Sequence, residues 1–486
     1  MTTEQTEKES RPKELTLETL KAAVAGTAAA FRCRTALQPA GGEGTKVFPP
    51  TYAGAVYATE KRRLKDHDQP VDCVLLDSVQ SQANRMEEAL QQAIDNERFK
   101  KANVSIPLIE VDFALYWDPE KKNKKLSDDM RLLDPVGKVS SLQAPHRIAD
   151  AILRDSLVKE ESKPFRMKEE KDESTYGQRL RRVTAQNATA LFELCPTALV
   201  FGMWDSTGPK GGLGAKFERA MVSEIVGINA VYGIKTSSRI DPLGIRKDAG
   251  PLYRRPDGGY TLDSAQAVDE LKDRKPTGKK MLYKPNSKGV DVYHDPKESK
   301  YPDQGRPSEA NLGNVTPGID YRRDRNNNPI KDNDGNPIPV GGVTITSAEQ
   351  TVVLSLPVLR RLRFPVNGKL DPKVDIAART ALAALGLCSA AMAAEAGLDL
   401  RSRCLLWPET DMTWTLLDRK SGDDFTLSAD AAIKLLREAV VAAKSVNLPW
   451  RDEPLVLEPS EQLVKLVVKS QQLAAKQGGD AGEGGE

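Results

Sequence analysis

A chain of 486 residues with 39% hydrophobic and 29% charged residues has the make-up of a folded protein with a large core, about three average domains by length. Its net charge of +2 neither demands nor excludes a nucleic-acid partner, since a basic groove is compatible with acidic surface elsewhere. Five scattered cysteines without a CxxC pair, and three isolated histidines, argue against a disulfide framework or zinc centre, so no metal and no cofactor are expected.

The scattered cysteines suit a reducing cytoplasm, and the first 14 residues are polar, with no apolar h-region, so a frayed start and no signal peptide are expected. Leu15–Ala25 has the pattern of a short helix. In Phe31–Leu37 (FRCRTAL) Phe31, Cys33, Thr35 and Leu37 alternate with Arg32 and Arg34, as in a half-buried strand. The two arginines could form a solvated edge or contact phosphates from a sheet platform. Val71–Leu76 is a strand, and Asp77 or Ser78 caps a helix reaching about Ile94, with Val79, Ala83, Met86, Leu90 and Ile94 in one stripe. The opposite side carries Ser81, Asn84, Arg85 and Glu88, flanked by Gln80 and Gln91. Such a side is usually only wet, but its amides suit hydrogen bonds to phosphate, sugar or base edges. Ala144–Val158 and Gln178–Leu194 have helical patterns.

The richest stretch is Ala198–Arg239. An apolar run, Ala198–Trp204, lies between Pro196 and Asp205 and has the length of a buried strand. DSTGPKGGLGAK follows, with glycines whose amides can form an anion-binding nest and with Lys210, Lys216 and Arg219 around it. The spacing of Phe217, Met221, Ile225 and Ile228 predicts a helix over Ala215–Ala230, with its N-terminus facing that loop. Val231–Arg239 is expected to be a strand. The glycines could equally serve only a tight turn, and neither a P-loop nor a GxGxxG is present.

From Asp241 to Gly342 the chain turns rich in Pro, Gly, Asn, Asp and Lys, as in an inserted set of hairpins. Leu271–Gly289 holds seven Lys/Arg against one Asp273, with Tyr283 nearby. Basic residues interleaved with tyrosine suit a single-stranded nucleic acid, and also a solvated loop. Thr351–Leu359 is strand-like. Thr380–Ala394 is the most apolar stretch, too short for a bilayer and read as a core helix, so no membrane partner is expected. Ala429–Ser445 is an amphipathic helix, and the chain from Gln471 is low-complexity. The organisation is therefore α+β. It comprises an RRM-like (ferredoxin-like) palm over 15–240 and 343–470, with helical insertions at about 95–195. Residues 241–342 form a basic insertion suited to a thumb, and 1–14 and 471–486 are disordered ends.

The segments FRCRTALQPAGGEG, VLLDSVQSQANRME, ALVFGMWDSTGPKGGLGAKFERA, LRRLRF and LRSRCLLW together resemble the RAMP-superfamily, crRNA-binding backbone subunit (Cas-seven type, Csb family) of type I-G, formerly I-U, CRISPR Cascade complexes. The resemblance runs from about Phe31 to Trp407. It implies a non-enzymatic subunit that binds further copies of itself head to tail along a crRNA. The guide's backbone lies on the palm, a thumb hairpin displaces a nucleotide at intervals, and the bases stay open for pairing with target DNA. It also implies a large subunit, a crRNA-processing subunit and a recruited helicase–nuclease as partners. Phosphate and 2′-OH contacts would dominate, from Arg32, Arg34, Gln80, Asn84, Arg85, Lys210, Lys216, Arg219 and Arg239. The alternative is a metal-dependent endoribonuclease. RAMP backbone subunits of type III systems cleave target RNA with an aspartate, and Asp205 would be its counterpart here.

Overall fold

The computed structural model describes residues 12–53, 56–65, 67–167, 170–172, 174–205, 216–246, 248–284, 289–298, 304–324, 328–331, 334–419 and 422–478. Its helices and strands mix in an α+β fold, and its contacts divide the chain into two units, residues 1–231 with 343–471 and residues 232–342 with 472–486.

The first unit is built on a mainly antiparallel sheet, and a second, five-stranded sheet joins Ile109–Asp112, Lys138–Ser140, Ser156–Val158, Lys163–Pro164 and Leu455–Pro459. In chain order its main elements are α1 (Leu17–Ala25), β1 (Ala30–Pro39), β2 (Val71–Asp77), α2 (Val79–Asp95), β3 (Met221–Ile228), β4 (Ser347–Ser355), α3 (Pro372–Ala396), β5 (Thr413–Leu417) and α4 (Ala429–Ser445). Across the sheet the strands lie in the order β5, β1, β4, β3, β2. Setting β2 aside, the chain runs β1–α2–β3–β4–α3–β5, with the fourth strand of that series beside the first and the third between the first and the second. This is a β-α-β-β-α-β arrangement of two split β-α-β units.

Alternation decides which side of each strand is buried. Phe31, Cys33, Thr35 and Leu37 of β1 point inward with their cross-strand partners Leu354, Val352, Gln350 and Ala348 of β4. Arg32 and Arg34 fall on the other face, as the spacing in FRCRTAL predicts. Helices α1, α2 and α4 all pack on α3. That central helix is long and apolar enough to cross a membrane, yet 83% of its apolar window is buried inside the protein. Its small residues permit this crowding. A Cβ at Gly386 would meet Met221 Cε at 3.2 Å, Val200 Cγ1 at 3.3 Å and Leu354 Cδ1 at 3.5 Å, so glycine lets the helix approach the sheet closely.

Several expectations change in three dimensions. The apolar run 198–204 is not one strand. It makes a helix, Thr197–Val200, and a two-residue strand, Met203–Trp204. Ala198–Phe201 are buried on every side, and a continuous apolar run carries no period to separate helix from strand. The helix expected over Ala215–Ala230 is instead two separate strands, Lys216–Phe217 and Met221–Ile228. Met221, Ser223 and Ile225 are buried while Val222 is exposed, the period of two that a strand requires. No helix N-terminus therefore follows residues 206–215. Gln178–Leu194 breaks into Thr175–Arg181 and Thr189–Leu194, and Ala144–Val158 into short turns, the helix Ala151–Arg154 and the strand Ser156–Val158. At the ends, Lys13–Glu14 pairs in parallel with Phe425–Thr426, and a helix runs Glu461–Gly478, past Gln471.

The second unit consists of antiparallel pairs, among them Lys235–Arg239 with Val315–Asp320 and Asp269–Lys272 with Lys275–Met281, around a small core of Tyr253, Ala267 and Leu282.

Replacing Gly386 by leucine should destabilise the first unit by about 1–3 kcal/mol, because the overpacked side chain must displace Met221, Val200 and Leu354. Chemical denaturation of the two proteins measures the loss.

Candidate nucleic-acid interface

Strand β2 passes directly into α2 at Asp77, and Ser78 caps the helix by accepting from the Ser81 amide at 3.2 Å. Two of the helix's polar residues are buried with its apolar stripe, Gln82 and Glu87, because both the sheet and the segment around Arg147 press on it. Gln80 and Asn84 remain exposed on the far side.

That exposed side forms one wall of a cleft of about 690 Å³. Gln80 and Asn84 meet His146, Arg147 and Arg154 there, together with Trp204, Lys216, Glu218 and Arg219. Four of the sequence-derived site residues, Gln80, Asn84, Lys216 and Arg219, thus converge although more than 130 positions separate Asn84 from Lys216. The lining holds four cations against one carboxylate. Arg147 is committed to Glu87, Arg154 to Asp155, and Glu218 to Arg361. Lys216 and Arg219 are exposed and have no ion-pair or hydrogen-bond partner among the described residues, so their charge is available to an anion.

Arg147 holds this wall in place. It sits at φ 52°, a backbone region that a non-glycine residue seldom occupies. From there its guanidinium donates to Glu87 Oε1 at 2.7 Å and Oε2 at 2.6 Å, and to the Gly202 carbonyl at 3.1 Å. Burial pushes the Glu87 carboxyl up to about 7, against the pull of Arg147 and Arg219. Gly202, at φ 84°, allows close passage of Arg219, whose Cγ would lie 2.9 Å from an added Cβ. Beyond it Met203–Trp204 pairs antiparallel with Lys216–Phe217. The strands bracketing residues 206–215 are therefore joined at the rim. Lys210 lies outside the described residues.

The remaining site residues go elsewhere. Arg85 faces inward: its Nε donates to Asp77 at 3.0 Å, and its other nitrogens to the carbonyls of Asp399 and Leu400. Arg239 belongs to the second unit, where it donates to the Gly313 carbonyl at 2.9 Å and the Leu312 carbonyl at 2.8 Å. On the open sheet face Arg34 pairs with Glu349, while Arg32 has no partner among the described residues. Asp205 is buried and accepts from Arg166 Nη1 at 2.5 Å. Pattern reading missed Arg147, Arg154, His146 and Trp204. Of these, only Trp204 left a signal, an aromatic bordering the glycine-rich loop.

Residues 31–232, less than half of the chain, match the family model described as CRISPR-associated protein GSU0053. The matched span contains β1 from Phe31 onward, β2, α2, β3 and every residue lining the cleft, but not Arg239. This part of the chain is similar to a CRISPR-associated family, which supports a role in CRISPR defence. No curated protein matches the chain.

Arg147→Met should cost about 3–5 kcal/mol, because it strands the buried Glu87 carboxylate. The folded protein holds the Glu87 proton more tightly than an unfolded chain does, so its contribution to stability falls as pH rises from 4.5 towards about 7. Removing Arg147 carries that fall higher. The deficit relative to wild type should be larger at pH 8 than at pH 6 in thermal melts, and Glu87→Gln in the same background should remove the difference.

Proposed function

We propose that the chain is an RNA-binding backbone subunit of a type I CRISPR effector complex, which grips the sugar-phosphate backbone of a crRNA and leaves its bases free to pair with target DNA. The observation that carries this reading is the cleft, where Lys216 and Arg219, without ion pairs among the described residues, and the exposed amides of Gln80 and Asn84 converge within the span that matches a CRISPR-associated family. Cations supply affinity for phosphates, and amides can bond a phosphate oxygen or a 2′-OH without reading sequence. The β-α-β-β-α-β connectivity supports an RRM-like palm, with helices on one face of the sheet and Arg32 on the other. The second unit's antiparallel pairs, with Lys275 and Lys279 exposed, suit the thumb of such a subunit.

In this reading the subunit is not an enzyme. Asp205, which a nuclease would need free to hold a metal or a water, is engaged by Arg166 in a buried pair. Repeated copies along one RNA would meet head to tail, a heterologous contact that does not close. The large and crRNA-processing subunits and a helicase–nuclease would complete the complex.

The chain purified from cells that express a matching CRISPR array should carry RNA of discrete length. Its affinity for single-stranded RNA should fall with salt at about 0.7 log units per log of salt for each phosphate neutralised. Lys216→Ala with Arg219→Ala should reduce that slope by about 1.4 with little change in melting temperature, since neither side chain makes an ion pair or hydrogen bond among the described residues. Filter binding across a salt series measures both. An unchanged slope in the double variant would remove the cleft from the RNA path.

A further inference from the structure

The strand pair at the rim of the cleft leaves one residue without a structural role. In the register Met203↔Phe217 and Trp204↔Lys216, directly opposed side chains leave a ribbon on the same face. Phe217 is buried and Met203 half-buried, so that pair anchors the ribbon to the core. Trp204 and Lys216 form the outward pair. Trp204 is 61% exposed, and its indole has neither a ring contact nor a hydrogen bond among the described residues. A tryptophan ordinarily buries its large apolar surface, and an exposed one beside unpaired cations is an uncommon combination.

We infer that Trp204 is a stacking platform for one base of a bound single-stranded RNA, with the adjoining phosphate held by Lys216 and Arg219. This rests on the RNA-binding reading above and adds a base contact to it. The chemistry of the cleft fits one nucleotide rather than a protein segment or a free anion. An indole face takes any base by its π-surface, Lys216 on the same face of the ribbon places a positive charge beside it, and Arg219 stands across Gly202. Gln80 and Asn84 on the opposite wall offer donors and acceptors to the sugar. A cleft of about 690 Å³ has room for a nucleotide together with water. Stacking is indifferent to sequence, so each protomer would gain affinity from a base without preferring one guide over another. A base held there would be withheld from pairing with a complementary strand.

The test uses the full chain and two labelled probes, an oligouridylate of roughly 12 nucleotides and an abasic strand of the same length. Trp204→Ala should weaken oligouridylate binding roughly five- to a hundredfold. Trp204→Phe should recover most of the loss, and the abasic strand should bind wild type and both variants alike. If Trp204→Ala binds oligouridylate as wild type does, the stacking inference fails and the RNA reading stands. Equal weakening of both probes would make the indole structural and likewise overturn the inference. If wild type binds neither probe better than Lys216→Glu with Arg219→Glu, the RNA reading itself falls, and the stacking with it. Should Trp204→Ala fail to fold, wild type and Trp204→Phe still decide: equal wild-type affinity for both probes overturns the inference, and a preference for oligouridylate kept by Trp204→Phe upholds it.

Discussion

A single carboxylate, Asp77, governs how the helical layer meets the sheet. It stands at the junction of β2 and α2 with no exposure to solvent, where an ionised group is tolerated only if it is fully paired. Its Oδ2 accepts from Gln82 Nε2 at 2.6 Å and Arg85 Nε at 3.0 Å, and its Oδ1 from Arg401 at 3.3 Å. Gln82 then passes the constraint across the sheet, accepting from Ser223 Oγ at 2.7 Å and Gln350 Nε2 at 2.9 Å. Strands β2, β3 and β4 are thereby tied to one turn of α2. A buried polar network of this kind is satisfied in one register and costly in any other. The placement of Gln80 and Asn84 on the cleft wall follows from it.

The same logic sorts the cations. Where a basic residue lies near a carboxylate fixed by the fold, its charge is spent inside the protein: Arg85 on Asp77, Arg147 on Glu87, Arg34 on Glu349, Arg62 on Glu224. Among the described residues Lys216 and Arg219 make no ion pair: Glu87, which Arg219 influences, is bonded to Arg147, and Glu218 is turned to Arg361. A chain with a net charge of only +2 can therefore present a locally positive cleft without being a basic protein. The cleft lies wholly within the span similar to a CRISPR-associated family.

Stiffness separates the wall of this cleft from its rim. The wall rests on the Arg147–Glu87 pair and on α2, which packs against the crowded helix α3. The rim is a ribbon of two residues on each side, anchored by Phe217. The amides of Gln80 and Asn84 are thus held on a wall fixed by packing, while Lys216 is carried on the ribbon, so the amide side of the site is pre-organised before a ligand enters.

By itself the sequence determined whatever a short-range period records. The alternation in FRCRTAL set the inner and outer faces of β1, the 3.6-residue spacing placed α2, and the run of small apolar residues marked α3 as a core helix. Gln80, Asn84, Lys216 and Arg219 were legible as exposed polar residues flanking such elements. Tertiary structure alone decided that 198–204 turns as a helix, that Met221–Ile228 is a strand, and that Arg85 and Arg239 are occupied by main-chain carbonyls and a buried carboxylate. It alone brought Arg147, Arg154 and Trp204 to the cleft. The physical reason is range. A period is written in neighbouring residues, whereas the partner that neutralises a charge or buries a ring lies far along the chain, as Glu349 does for Arg34 and Glu87 for Arg147.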